Sequence, residues 1–313
     1  MAYGDVNSVS PPAASRVGSR ATMVTVELPA AQSPTRLVWR RFRRHRLALL
    51  GFVVIAILAI LAIFAPVVSG YDPNRGNFLQ VDQSPSFTHL LGTDGNGRDT
   101  WSRMVFGARI SLSVGVVAVS ISVVLATVLG AVSGYYGGWI DLGTQRFTEV
   151  VMTFPTLMII ITLVALLGPS IYNVMAVIGL LSWTGLSRLV RGQVLQLKTV
   201  AFVEAARSVG VRDRGIIALH ILPNVLPYIV VSATFGVAGA ILTEASLSFL
   251  GLGVQAPTAT WGNLLQGSQT LDIMLHQPWR WIAPGAAIAV TVLSINFIGD
   301  GLRDALDPRM QIK

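Results

Sequence analysis

The chain has 313 residues, of which 52% are hydrophobic and only 12% charged, with a mean hydropathy of +0.63 and a net charge of +8. An ordinary soluble domain carries about twice that charged share, so the composition points to a membrane protein, and the excess of Lys and Arg is read as charge flanking membrane spans rather than as a nucleic-acid footprint. Cysteine is absent, which excludes disulfides, zinc-thiolate sites and cysteine nucleophiles, and the four histidines, His45, His89, His220 and His276, have no metal-ligand spacing.

Residues 1–35 are rich in Pro, Ala, Ser and Thr and show no period. They are expected to form a disordered cytoplasmic tail. A cleavable signal is not expected, because the first apolar run begins near Leu47 and is too long for a signal core. Residues 36–68 combine a basic flank (Arg40, Arg41, Arg43, Arg44, Arg46) with a first span. Leu47–Val68 runs 22 residues without a charge, where a crossing needs roughly 20. A turn-rich extracytoplasmic segment follows over 69–109. Five further spans are expected within a core domain over 110–302, near Ile110–Gly134, Val150–Leu167, Ile171–Leu186, Val225–Thr243 and Trp281–Ile298. Gly168-Pro169-Ser170 makes a tight hairpin between the third and fourth spans. Residues 303–313 form a C-terminal tail.

With the N-terminus inside, 18 of the 23 Lys and Arg residues fall on the inner segments. The positive-inside rule therefore places both termini in the cytoplasm. Small residues within the spans, among them Gly115, Gly130, Gly134, Gly179, Gly236 and Gly299, argue for a packed bundle.

The inner loop over 188–223 is the most informative stretch. Thr199–Val209 reads as a helix with Val200, Phe202, Val203 and Ala206 on an apolar side. Gly210 suits a left-handed turn that ends it. Asp213 is expected to cap a second short helix through about Leu222, and Pro223 to sit in the first turn of the fifth span. Ala205 and Ala206 leave room for another surface to approach. By pattern alone, an amphipathic interfacial loop would look the same.

The residues discriminate further. Glu204-Ala205-Ala206, Gly210 six positions after Glu204, and Leu222-Pro223 resemble the cytoplasmic signature of binding-protein-dependent ATP-driven importers. The ending His220-Ile221-Leu222-Pro223-Asn224 is similar to its peptide-importing branch. Three other stretches resemble the C-type permease of dipeptide, oligopeptide and nickel importers. These are His89–Asp94 with Gly97-Arg98-Asp99 and Ser102-Arg103; Thr243–Gly253 with Trp261-Gly262; and Gly299–Asp304 with Asp307-Pro308-Arg309. The resemblance spans about Arg36 to Arg309.

This resemblance implies an all-α polytopic protein with six transmembrane helices and the type I importer permease fold of the ABC transporters. It implies a homologous permease subunit as partner, two ATPase subunits or a fused ATPase, and an extracytoplasmic substrate-binding protein, in the inner membrane of a prokaryote. Glu204, Ala205, Ala206, Gly210, Leu222 and Pro223 would couple the chain to the ATPases. ATP and Mg would belong to those partners, with no cofactor or metal in this chain. The implied activity is import of short peptides by alternating access, with nickel or another small solute as the alternative cargo.

Further expectations concern the outer half. Asp94, Arg98, Asp99 and Arg103 alternate in sign and form either an ion-pair network or a contact for the binding protein or partner permease. Trp261 anchors at the interface or joins that rim. Glu244 falls roughly 30 Å from the inner end of its span, so it is an outer-gate candidate or a cap for the Ser246–Leu250 turn. Ser246 and Asn296 are candidates for the translocation path. No phosphate loop, nucleophile elbow or zinc-protease motif occurs, so this chain is expected not to hydrolyse ATP and not to be an enzyme. A secondary transporter or channel is the rival from another class. An acidic relay or an inverted repeat would favour it, and neither is evident.

Overall fold

A computed structural model of the chain describes residues 34–306. The expected tail lies outside the described residues, except that Pro34 and Thr35 open the first helix, and so does the Asp307-Pro308-Arg309 end of the last motif. In chain order the helices are α1 (Pro34–Phe42), α2 (Arg46–Ile63), α3 (Ala65–Val68), α4 (Thr100–Tyr136), α5 (Gly138–Thr153), α6 (Thr156–Leu167) and α7 (Ile171–Leu181). They continue with α8 (Thr184–Leu197), α9 (Ala201–Ser208), α10 (Asp213–Gly215), α11 (Leu222–Phe249), α12 (Trp261–Gln266), α13 (Leu271–His276) and α14 (Trp279–Leu306).

Among the described residues, five helical runs are long and apolar enough to cross a membrane: 46–63, 100–136, 171–197, 213–249 and 279–306. The α5–α6 pair makes a sixth if counted as one bent span. The bundle is thus the expected all-α, multi-pass architecture, with six passes when the bent α5–α6 pair is counted as one span, but several spans differ in detail. The first ends at Ile63 rather than Val68, because the helix breaks at Phe64 and Pro66 sits in the first turn of α3. The second begins ten residues early, at Thr100, where Asp99 caps it by accepting the Ser102 N–H at 2.7 Å.

The third span, expected near Val150–Leu167 with Pro155 near its start, is not one continuous helix. The chain turns by 82° between α5 and α6. Pro155 forces Phe154 into an extended conformation (φ −91°, ψ 142°) and has no N–H to carry the helix through. The fourth span continues past Leu186 to Leu197 after a break at Ser182-Trp183.

α4 is the central post. Its two halves pack in two cores. One joins Val114 and Ala118 to Ile160 and Val164 of α6, Val174 and Ile178 of α7, and Leu247 of α11. The other joins Ala131 and Tyr135 to Val190 and Val194 of α8, Val203 and Ala206 of α9, and Val225 of α11. Close approach needs glycine. A Cβ on Gly179 of α7 would fall 2.7 Å from the Ala118 carbonyl oxygen, and one on Gly130 of α4 would fall 2.5 Å from that of Ser187.

Contacts fix which helix ends lie together. Ser102 Oγ donates to the Ser69 carbonyl at 2.9 Å and Trp261 Nε1 to that of Met104 at 3.1 Å, so α3, α12 and the start of α4 share one end. At the other end Gly301 of α14 packs on Ala48 and Phe42, and α9 lies over the last turn of α4. The first and last described residues therefore lie at the same end as α9.

Candidate functional site

The short-helix end is built on a precise helix stop. α9 closes with Gly210 at φ +82°, the left-handed conformation expected for it. The Val211 N–H reaches the Ala206 carbonyl at 3.1 Å and the Gly210 N–H reaches that of Arg207 at 3.0 Å. These two bonds define a Schellman stop, and Val211 packs against the same apolar core that holds Ala206. Val203 is wholly buried, worth on the order of 1.5–3 kcal/mol, and Ala206 is buried beside it. Glu204, Ala205, Phe202 and Val209 are exposed. The expected inward–outward split is corrected accordingly: Ala206 faces this chain's own core, and only Ala205 of the alanine pair faces away. Val200 and Phe202, expected on the apolar side with Val203, are exposed.

Asp213 does not cap a separate helix. It opens a helical run with a wide turn over Ile216–Ile221, where the Leu222 N–H bonds the Ile217 carbonyl five residues back, and that run passes without a break into α11. Pro223 explains the wide turn, since it offers no N–H to the ladder. The Asn224 amide takes up the His220 carbonyl at 2.6 Å. Leu222 is half-buried and Pro223 exposed.

The Asp213 side chain is used elsewhere. Its Oδ1 accepts from the Tyr135 hydroxyl at 2.7 Å. Arg207 lies over the Tyr135 ring, 5.9 Å from its centroid, and donates to the same hydroxyl at 3.4 Å. That hydrogen bond holds the exposed Arg207 guanidinium above its ordinary value. Lys198 Nζ donates to the Gly134 carbonyl at 3.1 Å, a cation on the carbonyl end of α4. Arg191 grips Asp141 through two nitrogens. Sequence reasoning missed Tyr135, Lys198 and the Asp141–Arg191 pair. The available signal was polar residues flanking the Gly137-Gly138 break, but their partners are 50 or more residues away.

Midway along the bundle, α4, α7, α8 and α11 enclose a recess of about 320 Å³ lined by Ser122, Ser182, Ser232, Gly185, Gly236 and aliphatic side chains. Among the described residues none that lines it is charged. Neither Ser246, exposed on α11, nor Asn296, half-buried on α14, borders it.

Glu244 does not border it either. It is wholly buried, accepting from Ser248 Oγ at 2.7 Å and Ser111 Oγ at 3.2 Å, while Ser111 Oγ accepts the Trp261 N–H at 3.4 Å. It therefore ties α4, α11 and the start of α12 together rather than lining an open gate. Trp261, expected at an interface or rim, is 1% exposed. Thr260 and Asn263 form a reciprocal capping box that seats it.

The alternating charges before and in the first turn of α4 divide into two groups. Asp94 pairs with Arg98 at 2.8 Å and lies 3.7 Å from Arg103. Asp99 instead meets the buried His89 at 2.8 Å. Both groups hold the turn-rich segment onto the bundle. Asp94, Asp99 and Arg103 are buried, and Arg98 is half-buried.

Comparison with known proteins places this architecture. The family described as binding-protein-dependent transport system inner membrane component matches residues 126–312, and the N-terminal TM domain of oligopeptide transport permease C matches residues 33–90. The dipeptide transport system permease protein DppC of Alkalihalophilus pseudofirmus is 42% identical, over 90% of this chain and 92% of its own. The oligopeptide transport system permease protein OppC of Haemophilus influenzae is 43% identical, over 86% and 87%. The glutathione transport system permease protein GsiD of Pectobacterium atrosepticum is 38% identical, over 93% and 96%. With a bundle of five or six apolar membrane-length helical spans and family matches that together cover most of its length, the chain belongs to the inner membrane components of binding-protein-dependent transport systems.

Proposed function

We propose that this permease carries short peptides into the cytoplasm, with ATP hydrolysed by partner ATPases that grip α9. The observation that carries the coupling role is the division of α9. Val203 and Ala206 anchor it to α4, α8 and α11, while Phe202, Ala205 and Val209 present an apolar surface on the far side. A force on that surface reaches three spans through packed contacts. To drive transport, the ATPases must bind two states of the bundle unequally. Glu204, Ala205 and Gly210 form or frame the gripped surface, Ala206 and Leu222 brace it, and Pro223 marks its junction with α11.

The end bearing α9 is cytoplasmic in this reading, with both termini on the same side, following the Lys and Arg bias. Residues 69–99 and 250–278 then face outward toward a substrate-binding protein, and Asp94, Arg98, Asp99 and Arg103 belong to that outer half. A second, homologous permease would close the serine-lined recess into a path. Its neutral lining suits a zwitterion with variable side chains. The quoted relatives carry dipeptide, oligopeptide and glutathione names, which favours peptide cargo over the nickel alternative.

Two experiments test this. The chain has no cysteine, so single replacements at the exposed Phe202 and Phe87 report sidedness directly. Phe202→Cys is expected to label only from the cytoplasm and Phe87→Cys only from outside, and the reverse pattern would overturn the orientation. In proteoliposomes holding the assembled transporter, ATP-dependent uptake of trialanine is expected. Uptake of nickel with none of peptide would remove the cargo assignment.

A further inference from the structure

A second recess, of about 310 Å³, opens where the segment before α4 meets α12, α13 and the start of α14. Its polar lining includes Asp94, Arg98, Thr100, Arg103 and Arg280. Three guanidinium groups therefore meet in it. Arg98 is answered by Asp94 at 2.8 Å and Arg280 by Asp82 at 2.7 Å. Among the described residues Arg103 has no carboxylate at hydrogen-bond distance, the nearest being Asp94 Oδ2 at 3.7 Å.

Arg103 is also 4% exposed. Its Nη1 donates to the carbonyls of Pro73 at 3.1 Å and Pro257 at 3.5 Å. Its Nε is buried without a hydrogen bond, with Asp94 Oδ2 at 3.7 Å, and among the described residues its Nη2 donates to nothing. The vacant edge of this guanidinium is the Nε–Nη2 fork, the edge that receives a carboxylate through two parallel bonds. Thr100, 3% exposed and also lining the recess, has its hydroxyl buried without a partner. Buried polar groups left unpaired are costly, and a buried cation more so. Asp94 is shared between Arg98 at 2.8 Å and Arg103 at 3.7 Å, so three guanidinium groups face only two carboxylates; one further negative charge completes the balance, whereas a dianion would be repelled by Asp94.

We propose that this recess is a carboxylate-binding site, filled through the Arg103 fork and the Thr100 hydroxyl. The inference rests on the orientation and cargo class proposed above, which put the recess on the outward half. The carboxylate has two possible sources: the C-terminus of an arriving peptide, or an acidic side chain of the protein that delivers it.

The test uses the complete transporter in lipid nanodiscs, with trialanine and trialanine amide as probes and the loaded binding protein as a third. Arg103→Lys keeps the charge but loses the fork. Asn96→Glu adds a negative charge at an exposed lining position, so it leaves the packing intact should Arg103→Lys assemble poorly. Losing one charge-assisted hydrogen bond weakens binding about tenfold. If the cargo is the source, trialanine binds without the binding protein about tenfold tighter than its amide, and both variants abolish the difference. If the delivering protein is the source, trialanine and its amide bind alike. Both variants then weaken docking of the binding protein about tenfold, and one acid-to-amide change on that protein produces the same loss without adding to it. Unchanged trialanine binding and unchanged docking in Asn96→Glu would overturn the site. Wild-type uptake in the same nanodisc preparation, transferred to liposomes, separates that result from failure of the peptide-import reading.

Discussion

The Tyr135 hydroxyl donates to Asp213 Oδ1 at 2.7 Å, joining the last turn of α4 to the first turn of the helical run that becomes α11. Arg207 of α9 closes the same node from above the ring. Three elements at the α9 end thus share one phenol. Tyr135→Phe keeps the ring and its packing but removes the hydrogen bond, which costs about 1 kcal/mol. The variant is expected to assemble with its ATPases normally and to hydrolyse more ATP per peptide carried. An unchanged ratio of hydrolysis to uptake in proteoliposomes would remove Tyr135 from the coupling route.

Neighbouring alanines on α9 should behave differently. Ala205 is exposed and Ala206 buried. Ala205→Trp is expected to leave the melting temperature of the purified permease unchanged while weakening ATPase copurification. Ala206→Trp overpacks the core and should cost at least 1–3 kcal/mol, roughly, lowering the melting temperature itself. Equal effects on stability would contradict the facing described for α9.

Gly210 holds a φ of +82° with nothing within 4 Å of a built Cβ. Gly210→Val is therefore penalised by backbone strain alone, about 1–2 kcal/mol or more for a β-branched residue. Gly210→Asn tolerates the left-handed region better and should restore much of the loss. Measured side by side, Asn should retain ATPase binding and uptake where Val does not. Equal loss in both would point to space rather than conformation.

Glu244 tests the role of the buried node. Glu244→Leu strands the hydroxyls of Ser111 and Ser248, at roughly 1–3 kcal/mol for each group left unsatisfied. It is expected to lower the melting temperature and expose the 250–278 segment to protease. Glu244→Gln keeps two polar atoms and should be milder. If Glu244→Leu folded normally and altered only cargo selectivity, the residue would belong to the path after all.

Gly179 and Gly130 set the distance between α4 and the α7–α8 run. Gly179→Val drives a side chain into the Ala118 carbonyl and Ile121. Two backbones cannot give way as a flexible side chain can, so this substitution should cost more than the same change at Gly239, which meets nothing within 4 Å. Detergent-solubilised yields and melting curves of the two variants check the order.

Much of the architecture was legible in the residues. Long uncharged runs such as Leu47–Ile63 and Ile110–Gly134 have one stable solution in lipid, because every backbone group must bond within its own helix. The left-handed Gly210 was legible for the same kind of reason, since few residues tolerate that conformation. The bend at Pro155 was in the sequence as well, but its size was not. A proline says that a helix is interrupted, and neighbouring packing says by how much.

Other features had no local signature. Ala205 and Ala206 differ by one step on a helix, and which of them is buried depends on how α9 docks against Tyr135 and Val194. Glu244 reads as a charge near a span end. It becomes part of a polar node only when Ser111, 133 residues away in the chain, reaches it at 3.2 Å. Trp261 follows the same logic through Met104, 157 residues away.

Composition and pattern by themselves determined that this chain is an all-α, multi-pass helical bundle with a helix–stop–helix at one end. Those properties follow from hydropathy, glycine and proline chemistry acting within a few residues. Only the tertiary structure decided which face of α9 is free, that Glu244 and Trp261 are buried, and that the Arg103 Nε is buried without a hydrogen bond, sharing Asp94 with Arg98. Each of these is set by where distant side chains come to rest, because burial and hydrogen bonding depend on every atom within a few ångströms and not on the order of residues along the chain.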